Sequence, residues 1–170
     1  MKVTLSATRQ EGNDACSFNV VLPAVESRSG GAGGNHTIVF TFSNPLSSVG
    51  GAAVTSGVGS VFGRAIGDDA HQYVVNLTGV ANAQNITVSL TNVTDSFGNF
   101  SSVVAASMGV LTGDTTGNGI VNATDVSQTK GQSGQPVSGS NFRTDITVNG
   151  SINGTDVSSV KAKSGTGLPP

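Results

Sequence analysis

With 170 residues the chain is long enough for one large or two small domains, and only 11% of it is charged, for a formal net charge of −2. That balance provides no basic field for nucleic acid or an anionic lipid surface, and no apolar run approaches the roughly 20 residues that cross a bilayer. The 24 glycines, the lack of Trp and the abundance of Ser, Thr, Asn and Val favour short strands joined by turns over long helices.

In chain order, Met1-Lys2 leads directly into a strand-like pattern in which Val3, Leu5 and Ala7 alternate with polar partners. No charged-then-apolar leader precedes it, which reads as a fragment of a longer chain with Met1 as an added start, or else as a cytoplasmic protein. CSFNVVLP at 16–23 is a second strand, ended by Pro23. Its Cys16 is the sole cysteine, so no intrachain disulfide forms, and it reads as a lone buried thiol. SRSGGAGGN at 27–35 reads as a flexible connection, and Glu26 with Arg28 as a surface ion pair. HTIVFTFS at 36–43 puts Ile38, Phe40 and Phe42 on one face, and Pro45 ends it. AAVTSGVGSV at 52–61 is a weaker, glycine-broken strand; HQYVVNL at 71–77, NITVSLTNV at 85–93 and SSVVAASMGVL at 101–111 follow. About seven short strands separated by turn signals predict an antiparallel β-sandwich over residues 1–111. Three of its stretches, FTFSNPL, YVVNLTG and VSLTNVTDSFGN, resemble the bacterial immunoglobulin-like domains of secreted and surface proteins over roughly residues 36–111. The most specific part is V-T-D-x-x-G-N (Val93, Thr94, Asp95, Gly98, Asn99), a turn before the last strand.

The character changes from residue 112 to residue 170. DTTGNGIVNATDVSQTKGQSG at 114–134 overlays DITVNGSINGTDVSSVKAKSG at 145–165, a repeat with a shift of 31 residues. Numbered from its first Asp, each loop places oxygen donors at alternate positions. Position 1 is Asp114 or Asp145, position 3 Thr116 or Thr147, and position 5 Asn118 or Asn149. Position 7 offers the backbone carbonyl of Ile120 or Ser151, position 9 is Asn122 or Asn153, and position 12 is Asp125 or Asp156. Gly119 and Gly150 at position 6 permit the sharp turn. This is the ligand spacing of a twelve-residue calcium loop, so two calcium ions are expected. The acidic residues after Gly113 are these four aspartates alone, whereas surface decoration would have scattered them. Lys130, Arg143, Lys161 and Lys163 balance their charge. The competing reading is two Asn/Asp-rich turns that cap short helices.

Position 3 is Thr, position 12 is Asp where the EF-hand has Glu, and no helical pattern precedes either loop, so these are loop-then-helix half units. D-T-T-G-N-G-I-V-N-A-T-D-V-S-Q-T-K at 114–130 and its copy at 145–161 resemble the type I dockerin module. The resemblance implies a module of a secreted or cell-surface bacterial protein that binds a cohesin-type domain and so attaches its parent, often a polysaccharide-degrading enzyme, to a scaffold. It also implies partner contacts at Ala123 and Thr124, Gly154 and Thr155, and the basic Lys130 and Lys161. One hydroxyl of each usual pair is replaced, by Ala123 and Gly154, and Thr129 stands where an aliphatic residue is usual. The rival expectation is a calcium-stabilised cap that packs on its own sandwich domain, with no cohesin partner. His36 and His71 sit in strand-like stretches without a nucleophile elbow or a metal-ligand pair, so no catalysis is expected. With Tyr73 the only Tyr and no Trp, the aromatic platform of a sugar-binding sandwich is missing. The expected fold is therefore a mainly β, immunoglobulin-like sandwich followed by a small helical module, acting as a monomer.

Overall fold

The computed structural model describes residues 3–8, 20–21 and 24–170. Cys16 and most of the 16–23 stretch lie outside the described residues. The strands are β1 (Val3–Thr8), β2 (Val20–Val21), β3 (Val25–Glu26), β4 (His36–Phe42), β5 (Leu46–Ser56), β6 (Ser60–Ile66), β7 (Gln72–Thr78), β8 (Gln84–Asp95) and β9 (Phe100–Val110). One sheet runs β2-β1-β4-β7-β6 and the other β3-β9-β8-β5. Ile38, Phe40 and Phe42 of β4 and Tyr73, Val75 and Leu77 of β7 alternate inward, as period-2 patterning requires. They meet Ile86, Val88, Leu90, Ala106, Met108 and Val110 from the second sheet in one buried cluster. The pairs are antiparallel except β3, which runs parallel to β9. Among the described residues no helix is long and apolar enough to cross a membrane.

The expected strand at 52–61 is in fact the end of β5 and the start of β6. The chain breaks between them where Gly57 and Gly59 take positive φ values of 87° and 155°. The V-T-D-x-x-G-N stretch is the turn between β8 and β9. Asp95 accepts hydrogen bonds from the N–H of Phe97 and Asn99 and from the side chains of Asn99 and Asn44, at 2.8–3.0 Å.

Two sequence readings need correction at residues 26–35. Glu26 and Arg28 do pair, but not on the surface: Arg28 donates through Nε and Nη2 to the two Glu26 oxygens at 2.8 and 2.7 Å, with both side chains 2% exposed. Burial pushes the Glu26 carboxyl up, but the Arg28 bonds outweigh it and leave the group below its usual range. Nor is the segment merely a flexible connection. Ser27 accepts the Gly113 N–H through its carbonyl, its hydroxyl donates to the Arg143 carbonyl, and the Ser29 N–H donates to the Ile146 carbonyl. The guanidinium of Arg28 lies 5.0 Å from the centre of the Phe142 ring.

These contacts seat the second segment. It comprises α1 (Ala123–Gln132), a short 3₁₀ turn (Phe142–Thr144) and α2 (Gly154–Lys163). Leu111, Val121, Ile146 and Val160 form its buried centre, with Val25, Ala83, Val126 and Leu168 packed around them. Val25 and Ala83 come from the sandwich side, so the two parts share this cluster. The halves also exchange their tails. After α1, the Gly134 N–H donates to the Ile152 carbonyl of the second loop; after α2, the Gly165 N–H donates to the Val121 carbonyl of the first. Both bonds are 2.8–2.9 Å and fall at equivalent positions of the 31-residue repeat.

Candidate metal centre

Each loop enters its helix through an Asn. Asn122 accepts the Thr124 N–H on its side-chain oxygen at 2.7 Å, and Asn153 accepts the Thr155 N–H at 2.8 Å. The reciprocal half of each capping box comes from the last loop residue: Asp125 Oδ2 accepts the Asn122 N–H at 2.8 Å, and Asp156 Oδ2 accepts the Asn153 N–H at 2.9 Å. The helix-capping turns that the sequence left as an alternative are therefore real. They do not account for the remaining oxygens.

Asp125 Oδ1 also accepts from the Thr116 N–H and hydroxyl at 3.0 and 2.9 Å, and the same hydroxyl lies 3.2 Å from Asp114 Oδ1. Positions 1, 3 and 12 of the first loop thus converge. In the second loop Asp156 Oδ1 accepts from the Thr147 N–H and hydroxyl at 3.0 and 2.9 Å. All four aspartates are 0–2% exposed, and none forms an ion pair among the described residues. A buried pair of like charges is costly; the Arg143 guanidinium lies near Asp114 and Asp125 and opposes that cost only in part, and a divalent cation bound by oxygens removes the remainder. Among the described residues no three His, Cys, Asp or Glu gather in one place. Each loop supplies two carboxylates with hydroxyl, amide and carbonyl oxygens, which is a donor set for a hard cation. The residues present therefore fit calcium.

The carboxylates respond to these surroundings unequally. Burial raises Asp125, but the bonds from Asn122, Thr116 and Thr115 outweigh it, so its net displacement is downward. For Asp145 burial dominates the bonds from Gly150 and Asn149; the nearby Asp156 charge adds to the rise, and the group lies above its ordinary value.

At the rim, Asn118 and Asn149 are exposed, their side-chain oxygens accepting the Ile120 and Ser151 N–H at 3.0 and 2.9 Å. Ile120 itself is 54% exposed, so it is no core residue, and its backbone bridges to Gly167. Ser151 bridges in the same way to Pro136. The residues expected to face a partner are all at the surface: Ala123, Thr124 and Lys130 along α1, Gly154, Thr155 and Lys161 along α2. Thr129 is fully buried, its hydroxyl donating to the Asp125 carbonyl at 2.8 Å, whereas its equivalent Val160 joins the apolar cluster. Sequence reasoning counted Arg143 only as a balancing charge. Its guanidinium in fact donates to the carbonyls of Thr115 and Asp114 in the first loop at 3.0 and 3.1 Å. No local pattern announces a contact that spans 28 residues.

Residues 112–163 match the family model of the dockerin type I domain, in line with the resemblance seen in the loops. The match does not extend into the sandwich. No curated protein and no solved structure matches the chain.

Proposed function

We propose that residues 112–170 hold two calcium ions and, folded around them, present α1 and α2 to a cohesin-type domain, recruiting a secreted or cell-surface parent to that partner. The observation that carries this reading is the pairing of buried aspartates, Asp114 with Asp125 and Asp145 with Asp156, inside a segment that matches the dockerin type I domain. Asp114, Thr116, Asn118, Asn122 and Asp125 would hold the first ion with the Ile120 carbonyl, and Asp145, Thr147, Asn149, Asn153 and Asp156 the second with the Ser151 carbonyl. The role is recruitment and not catalysis.

The rival reading, a structural cap on the sandwich, is favoured by the shared cluster around Leu111 and by the bonds from Ser27 and Ser29. The two readings are compatible in space, because the faces bearing Thr124 and Thr155 are exposed while the module is seated. Binding of purified cohesin domains to the full chain, in calcium and in EDTA, separates them. Thr124→Asp alone should weaken binding less than Thr124→Asp with Thr155→Asp, since each half presents a face. Absence of binding to every cohesin in calcium would favour the cap.

A further inference from the structure

The two loops share one ligand spacing but not one backbone. Position 4 takes a left-handed conformation in both, with φ of 74° at Gly117 and 54° at Val148. Glycine adopts that region without steric penalty, whereas a β-branched residue there is strained. Position 4 also sets how the first carboxylate is held. Asp114 accepts three backbone hydrogen bonds, from the Gly117, Asn118 and Gly119 N–H groups at 2.7–3.1 Å, and shares the Thr116 hydroxyl with Asp125. Asp145 accepts two on its carboxylate, from Asn149 and Gly150, at 3.2 and 3.0 Å. The Val148 N–H bonds the Asp145 backbone carbonyl at 3.3 Å and bears only weakly on the carboxylate, whereas the Gly117 N–H reaches Asp114 Oδ1 at 2.8 Å. Arg143 then adds two charged hydrogen bonds to the backbone of the first loop, while the corresponding carbonyl of the second, Ile146, is held by the Ser29 N–H.

We propose that the loops are unequal and fill in order: the 114–125 loop is the preorganised, tight calcium site, and the 145–156 loop a weaker one. This rests on the calcium reading above. Without metal, Val148 can relax toward an extended backbone, and binding must drive it back; Gly117 imposes no such demand. A single strained residue of this class corresponds to about a tenfold difference in affinity or more. The α1 face is then presented at low calcium, and the α2 face only once calcium has risen further. The module becomes a two-step sensor in place of a single switch.

The test is a calorimetric titration of calcium chloride into the full chain, with hydrogen exchange at intermediate calcium as a second measurement. Wild type should show two phases separated by about tenfold or more. Asp156→Asn should keep the tight phase and Asp125→Asn only the weak one. Val148→Gly should strengthen the weak phase about tenfold and leave the tight phase in place. At intermediate calcium the amides of Val121–Lys130 should be protected and those of Ile152–Lys161 should not. Two indistinguishable phases, or loss of the tight phase in Asp156→Asn, would overturn the ordering while leaving calcium binding intact. No heat and no protection in wild type would overturn the calcium reading itself.

Discussion

Asp125→Asn separates the charge of the first loop from its shape. The Asn oxygen can still accept from the Thr116 N–H and hydroxyl, as Asp125 Oδ1 does at 3.0 and 2.9 Å. Its amide nitrogen cannot accept from the Asn122 N–H, now 2.8 Å from Oδ2, which costs about 1 kcal/mol. Removal of like-charge repulsion with Asp114 offsets part of that cost. In EDTA the variant should therefore lie within about 1 kcal/mol of wild type. Calcium changes the comparison: at a hundredfold excess over the dissociation constant, a filled site adds about 2.7 kcal/mol, which the variant's first loop forgoes. The module is sensitive to such a term because, among the described residues, four apolar side chains form its buried cluster, against fifteen in the sandwich. For a domain of this size each kcal/mol moves the midpoint about 4–8 °C, so the gap should widen by about 10–20 °C when calcium replaces EDTA. Thermal melts followed by circular dichroism give the gap. Hydrogen exchange at Val121–Lys130, against the β8 and β9 amides, assigns it to the module. An equal gap in both conditions would refute the claim that Asp125 acts through a bound cation.

Other outcomes follow from the sandwich and its junction. Arg28→Met leaves the buried Glu26 carboxylate without its bidentate partner and should cost about 3–5 kcal/mol in urea unfolding; Glu26→Gln with Arg28→Met should recover much of it. Asp95 has its pKa lowered from 3.8 to about 2 by the side-chain bonds from Asn44 and Asn99, with the Asn99 and Phe97 N–H groups adding to the effect. Because the folded value is the lower one, its stabilisation is complete above pH 3.8 and disappears as pH falls toward 2. Asp95→Asn should flatten that part of the acid-unfolding profile, and an unchanged profile would show that the turn does not rely on the carboxylate.

Much of this molecule is legible along the chain because the signals are local. Alternation at Ile38, Phe40 and Phe42 needs only the period of a strand, and Asp114, Thr116, Asn118 and Gly119 lie within one turn of backbone, so their spacing alone defines a loop that can surround a cation. Duplication strengthened the inference, since two copies of the same two-aspartate arrangement are hard to reach by composition. The same register exposes Val148 against Gly117, but its positive φ is a property of the folded loop. What the sequence could not determine depends on residues distant along the chain. Glu26 and Arg28 read as a surface pair because charge prefers water; only packing of the module over them explains their burial. Ile120 is a large apolar side chain, yet pairing of its backbone with the C-terminal tail leaves that side chain in solvent. Arg143 reads as a neutralising charge, and its hold on Thr115 and Asp114 exists only once the second half folds back onto the first loop. Spacing along the backbone sets which groups can bind a cation, while long-range packing decides how firmly each loop is held to do so.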